Sequence, residues 1–376
     1  MKPKKCFLLA LNLLLVSVEG FSQTSDRAIS TAMSFLLTRP DARSSAMGDV
    51  GVATTADAYS MYANPSKIVF AKHQIQAGLS YVPLMRNLAK DVSLVNFSGF
   101  KKLNDQNALG GSIYYLSYGQ VDLTDANGQF IQNYYPVEYT LDFTFSRKMS
   151  NNFSMGLTAR YLHSNTRFEK SDNNLVADPA SAFATDVSMF YKLPLIGSTN
   201  EGEWGFGLMI SNIGTKVHYH SDRSEFLPTN LKFGAAYSFM LPNGDQKLTF
   251  STDFNKLLVP TPPEYDNNGQ IVDGKDPDRS VVSALFTSFA DAPGGFSEEL
   301  SELSIGTGIE CLFNETFAVR TGYFYENPKK GNRQHFTIGT GLQYRDFNFD
   351  LGYIIPTANR FVLRNNVKFS IGYNLK

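Results

Sequence analysis

Residues 137–146 read VEYTLDFTFS, so that Val137, Tyr139, Leu141, Phe143 and Phe145 alternate with Glu138, Thr140, Asp142, Thr144 and Ser146. Successive side chains of a strand point to opposite faces, and this stretch therefore predicts a strand with one apolar and one polar face. The same rhythm sets Phe153, Met155, Leu157 and Tyr161 against Ser154, Thr158 and Arg160, and Leu231, Phe233, Tyr237 and Phe239 against Lys232, Gly234 and Ser238. It closes the chain, where Val367, Phe369, Ile371, Tyr373 and Leu375 alternate with Lys368, Ser370, Gly372 and Asn374. From His73 onward the spacing predicts strands near 73–83, 90–100, 108–118, 136–149, 152–168, 181–193, 204–213, 229–240, 246–258, 302–312, 316–326, 334–345, 347–356 and 366–375, fourteen in all.

The connections carry a second signal. Every other one is in most cases a short turn, such as 150–151, 242–245, 314–315 and Asp346, while those between are longer and include 119–135, 169–180, 214–228, 259–301 and 357–365, rich in Asn, Asp, Gly and Pro. A multi-domain soluble sandwich also alternates along its strands, but it has no reason to keep short and long connections in rotation. Bacterial outer-membrane barrels do, with the short turns periplasmic, and an even strand count returns both ends to that side. The fold expected is an all-β membrane protein: a 14-stranded antiparallel outer-membrane β-barrel over 71–376, with an N-terminal plug or hatch segment over 23–70. Asp142, Arg160, Asp186, Lys232, Asp253 and Asp350 then face the lumen. Gly205/Gly207, Gly306/Gly308 and Gly339/Gly341 share strand faces, where they let the sheet curve or neighbouring groups come close.

Composition agrees. Charged residues make up 18% against roughly 25% in soluble proteins, and aromatics reach 13%. The formal net charge of -1 leaves no electrostatic footprint for nucleic acid. Lys2, Lys4 and Lys5 precede an apolar run from Cys6 to Val18, and Gly20-Phe21-Ser22 places small residues for a cut before Gln23, so 1–22 reads as a cleaved signal peptide. Cys6 leaves with it; Cys311 alone remains and has no disulfide partner within the chain.

Motifs of catalysis and ligand binding fare poorly. The run 269–275, GQIVDGK, has phosphate-loop spacing, but Asp276 stands where Ser or Thr is needed and Pro277 where a helix should begin. His218 and His220 share one face of an extended segment without an acidic or Cys partner at ligand spacing. Ser164 and His163 are neighbours in a strand and point oppositely. The expectation is a protein that is not an enzyme, with no catalytic residue, metal or cofactor.

Two stretches are not strands. Residues 28–37 suit a short helix ended before Pro40. The text around it, FLLTRPDAR at 35–43, MGDVGVA at 47–53, then Asp57 and Asn64-Pro65-Ser66-Lys67, resembles the start of the PorV family. Ser66 stands where that family has Ala, and Ala63 where an aromatic residue is common. In the longest loop, SVVSALFTSFADAPGGFSEEL at 280–300 is also similar to the family; Val281, Val282, Leu285, Phe286 and Phe289 fall largely on one helical face, and Asp291-Ala292-Pro293-Gly294-Gly295 ends the helix. Such a face either folds back to cap its own barrel or is offered to a partner.

The resemblance implies an outer-membrane protein of the type IX secretion system, of the Gram-negative Bacteroidetes type, within the superfamily of FadL-like fatty-acid-transporter barrels. It implies a large translocon barrel, the C-terminal signal domains of secreted proteins and a surface sortase complex that attaches lipopolysaccharide as partners, with outer-membrane lipid around the wall. Leu285, Phe286, Phe289 and Phe296 are the expected docking residues, and Asn64, Pro65, Asp41 and Arg43 the expected hatch residues. The alternative is a FadL-like transporter of hydrophobic small molecules.

Overall fold

The computed structural model describes residues 27–85, 89, 91–124, 127–171, 174–195, 202–219, 224–242, 244–357 and 366–375, with the backbone alone for 168–177. Fourteen antiparallel strands close into a barrel. They are β1 (Ile75–Pro83), β2 (Ser93–Lys102), β3 (Asn107–Ser117), β4 (Val137–Lys148), β5 (Phe153–Ser164), β6 (Ala180–Leu195), β7 (Gly202–Gly214), β8 (Asn230–Met240), β9 (Gln246–Leu257), β10 (Ser304–Phe313), β11 (Phe317–Tyr325), β12 (Gln334–Tyr344), β13 (Phe347–Pro356) and β14 (Val367–Leu375). Each pairs with its neighbours in sequence, and β14 returns to β1 with Gly78 opposite Gly372. The rotation of connections holds, with short turns at one end and long loops at the other.

The wall is inside-out relative to a soluble sheet. In β4, Leu141, Phe143 and Phe145 are exposed outward while Glu138, Thr140, Thr144 and Ser146 are buried. That arrangement suits lipid outside and polar groups within. Aromatic clusters ring both ends: Trp204, Tyr237 and Phe239 stack at 4.8 and 5.4 Å near the short turns, and Tyr161 meets Phe183 at 5.4 Å near the long loops. Such girdles sit at the two membrane–water boundaries. Several inward charges are tied to one another across the strands, which offsets the cost of burying them. Arg160 lies 2.8 Å from Asp142 and 3.0 Å from Asp186, and Arg320 lies 2.7 Å from Glu310 and 2.6 Å from Asp350.

The N-terminal segment is bonded to the inner wall on many sides. Gly51 N and Val52 N donate to Asp253 Oδ2 at 2.7 and 2.9 Å, Gly48 N to Thr337 Oγ1 at 2.9 Å, and Ala42 N to Ser370 Oγ at 2.9 Å. Opposite these, Ser146 and Ser154 donate to the carbonyls of Pro65 and Ser66 at 2.9 and 2.7 Å. The inward glycines make room: a Cβ on Gly308 or Gly322 would strike the Met47 main chain. The sequence reading of these glycines as positions of close approach is thus borne out at Gly205, Gly207, Gly306, Gly308 and Gly339.

The helix expected over 28–37 is corrected to a single 3-10 turn, Ser34–Leu37. Ala32 N donates instead to Phe226 O at 2.9 Å, and Met33 takes φ 51. A tertiary bond here replaces the costly nucleation of a short helix. Met33, Phe35 and Leu36 pack with Val82, Leu94, Tyr114, Leu116 and Leu162 into an apolar cluster inside the wall. Arg27 reaches Glu264 and Glu298 in the long-loop end, whereas Lys72 pairs with Glu315 beside a short turn at 2.7 Å. The segment therefore traverses the barrel from one end to the other.

Candidate functional site

The longest connection runs from Leu258 to Leu303. Leu258 and Val259 are buried, and Leu258 N continues the sheet by donating to Thr229 O at 2.8 Å. A small hairpin then pairs Glu264–Tyr265 with Ile271–Asp273. Its turn is held by Asp266 Oδ1, which accepts from Asn268 N and Gln270 N at 2.8 Å each, and by Gly269 at φ 78. Thus the GQIVDGK run at 269–275 forms a hairpin turn and strand, not a phosphate loop with its helix.

Two helices follow, α1 (Val281–Thr287) and α2 (Gly295–Ser301). Ser280 caps α1, its Oγ accepting from Ser283 N at 3.2 Å. Arg279 donates to Asp276 O at 2.8 Å and Thr287 Oγ1 at 2.6 Å and lies 3.5 Å from Asp291. Glu299 organises the junction: its Oε1 accepts from Asp291 N and Ala292 N at 2.7 and 2.9 Å, and its Oε2 accepts from Lys256 Nζ at 2.8 Å.

Lys256, at the end of β9, also reaches Glu302 at 2.7 Å; Lys330, in the connection from β11 to β12, reaches Glu298 at 2.6 Å and Glu302 at 2.9 Å. Thr261 Oγ1 donates to Glu302 at 2.6 Å. Two buried lysines thus bridge three glutamates and moor α2 to the rim, while Arg279 ties Thr287 of α1 to Asp291 in the link between the helices. Burial works against the charges of Glu298 and Glu299, but Lys330 on the first and Lys256 on the second outweigh it, and both carboxyls sit below the usual range. Burial pushes the Asp291 carboxyl up, against the pull of Arg279.

The moored helices turn Ala284 and Ser288 inward. They present Val282, Phe286, Phe289, Phe296 and Leu300 to the outside, with Phe286 77% and Phe296 83% exposed. Of the four residues expected to dock, Phe286, Phe289 and Phe296 are displayed, whereas Leu285 is half-buried beside its own chain. Val282 and Leu300 were not singled out as docking residues; each stands four positions from an exposed Phe and shares its helical side.

The other expected residues lie elsewhere. Asp41 caps the turn Ala42–Ser45, accepting from Ser44 N at 2.7 Å. Arg43 pairs with Glu310 and Asp57 at 2.9 Å each. Asn64 caps Pro65–Phe70, accepting from Ser66 N at 3.2 Å, and donates to Val52 O at 3.0 Å and Met189 O at 2.9 Å. Pro65 opens that 3-10 turn, where its missing N–H costs nothing. Arg43 and Asp57 line a cavity of about 480 Å³ at the short-turn end. His218 is exposed, and His220 lies outside the described residues; among those described, no three His, Cys, Asp or Glu groups are placed to hold a metal. Ser164 is buried and shares its hydroxyl with Thr166, while His163 meets Ser181, so the two form no pair.

Residues 21–264 match the family model for the type IX secretion system protein PorV. The chain belongs to the PorV family. The match ends within the long loop, so both helices of this PorV-family chain lie beyond it. Among curated proteins no match is found. Among solved structures, the P. putida toluene transporter TodX superposes with a TM-score of 0.51 at 10% identity, covering 88% of this chain and 97% of that one. The CymD monoaromatic hydrocarbon channel gives 0.51 at 10%, covering 92% and 99%. At these identities the likeness shows the fold alone: this PorV-family chain shares its closed barrel with TodX and CymD.

Proposed function

We propose that this protein is a non-enzymatic outer-membrane component of the type IX secretion system. It associates with the large translocon barrel, receives secreted proteins through their C-terminal signal domains and brings them to the surface sortase complex. The observation that carries this reading is the exposed apolar face of α1 and α2, held on a rim of buried ion pairs. Exposed apolar side chains clustered on a rigid mount are the mark of an interaction surface. By the asymmetry of bacterial barrels the long-loop end faces outward and the short-turn end the periplasm; residues 27–70 then serve as a lumenal plug.

The test replaces Phe286, Phe289 and Phe296 by Ser. Each large apolar side chain contributes about 1.5 to 3 kcal/mol when fully buried by a partner, and the loss of two weakens a complex at least a hundredfold. The triple variant should assemble as a heat-modifiable barrel yet fail to co-purify translocon and cargo. Wild-type capture of both would refute the reading. Transport of hydrophobic small molecules, as in a FadL-like transporter, is favoured only by the barrel fold shared with the toluene transporter TodX and the hydrocarbon channel CymD. It requires an apolar path, and Met33, Phe35 and Leu36 fill the apolar upper lumen. Saturable uptake of a hydrophobic solute by the wild type, with no protein partner, would establish it instead.

A further inference from the structure

The long loop is as skewed in charge as it is in exposure. Residues 259–301 carry eight carboxylates against Lys275 and Arg279, a net of -6, whereas the whole chain stands at -1. Several of these acids are used internally: Glu298 and Glu299 moor α2, Asp291 faces Arg279, Glu264 holds Arg27 and Asp278 holds Lys216. Asp266, Asp273 and Asp276 are different. All three are exposed, and none of their carboxylates is ion-paired among the described residues; Arg279 reaches Asp276 only at its carbonyl, and Lys275 lies between Asp273 and Asp276 in the chain. They sit on and just after the hairpin, whose Gly274 packs so closely that a Cβ there would lie 3.0 Å from Pro293, in the link between the two helices. An acidic edge therefore lies against the link that joins the two helices of the apolar face.

We propose that this face takes a protein partner with an apolar groove bordered by basic side chains, the acidic edge steering the approach and the apolar residues holding the complex. This deepens the docking reading above and rests on it. The alternative cover, an anionic lipid surface, would bring like charges against Asp266, Asp273 and Asp276, and such juxtaposition is repulsive. Rim charges act on the association rate and are screened by salt, whereas desolvated apolar contacts act on the dissociation rate. The proposal thus divides the two kinetic effects between two sets of residues.

The test uses the full protein in nanodiscs of zwitterionic lipid, with empty discs as the blank. The probes are two amphipathic peptides with the same leucine face, one bordered by lysine and the other by glutamate. The lysine peptide should bind, with an association rate falling about tenfold between about 50 and about 500 mM NaCl. Asp266→Asn, Asp273→Asn and Asp276→Asn together should lower that rate by about tenfold at low salt and remove most of its salt dependence, leaving dissociation unchanged. Phe286→Ser with Phe296→Ser should do the reverse and speed dissociation. Equal binding of the glutamate peptide, no binding of either peptide, or a triple Asn variant indistinguishable from wild type would overturn the proposal. A cargo C-terminal signal domain run over the same discs separates the two claims. If it fails to bind while the peptides behave as expected, the secretion reading falls and the partner chemistry stands.

Discussion

Replacing Lys256 by Met should release the long loop while leaving the barrel intact. The Lys256 ammonium lies 2.8 Å from Glu299 and 2.7 Å from Glu302, and all three side chains are buried. Removing one partner of a buried ion pair costs about 3 to 5 kcal/mol, because the remaining charge keeps its desolvation penalty. The lower end applies here. Glu302 retains Lys330 at 2.9 Å and Thr261 at 2.6 Å, and Glu299 retains two backbone N–H donors. At about 3 kcal/mol the population of the open loop rises roughly a hundredfold. Amide exchange in α1 and α2 should accelerate by that factor, while the strands, bonded to one another, exchange as before. Adding Glu299→Gln removes the stranded charge and should restore part of the protection. Unchanged exchange in the single variant would refute the mooring argument, as would equal acceleration in the barrel strands.

Three further outcomes follow from the same contacts. Gly308→Val places side-chain atoms against the Met47 carbonyl, so the variant should still be heat-modifiable on gels but conduct more ions in planar bilayers than wild type; equal conductance would show that the segment is not seated there. Asn64→Ala removes a cap and leaves the Val52 and Met189 carbonyls short of a donor, which should lower stability in denaturant by about 1 to 3 kcal/mol, with Asn64→Asp, which keeps the acceptor, between the two. Loop protection should fall in acid: Glu298 and Glu299, held low, stabilise fully above the ordinary carboxylate range and lose this as pH drops through their lower folded values. Asp291, pushed up, opposes them, losing stability as pH rises through its own range. Protection corrected for intrinsic exchange should therefore be greater near neutral pH than in acid, and a flat profile would refute the assignment.

The wall was legible because two solvents press on it. Every inward residue must suit a polar lumen and every outward one lipid, so alternation survives in each strand and marks its bounds to within a few residues. The buried charges were legible as inward, but their partners were not. Asp142 and Arg160 meet across neighbouring strands, whereas Asp253 Oδ2 accepts from Gly51 N and Val52 N, some two hundred residues away. Nothing local encodes such a bond. The same holds for 28–37, where local composition suggests a helix and the donor at Ala32 is taken by Phe226 O.

In the long loop the apolar face was legible, but not the direction it points. Spacing groups Val281, Val282, Leu285, Phe286 and Phe289 on one broad side of α1 and cannot divide them. Packing does. Only small side chains fit the line along which α1 meets the rest of the chain; Ala284 and Ser288, four apart, form that line and are buried. Leu285 is adjacent to it and becomes half-buried, while Val282 and Phe286, turned away from it, remain in the open. The small pair, not the large residues, fixes which way the face looks. Ala284→Leu should therefore lift α1 from its seat. Its exchange should accelerate as in the Lys256 variant, and Phe286 should stay as open to solvent as before; a protected α1 in that variant would mean that the contact line lies elsewhere.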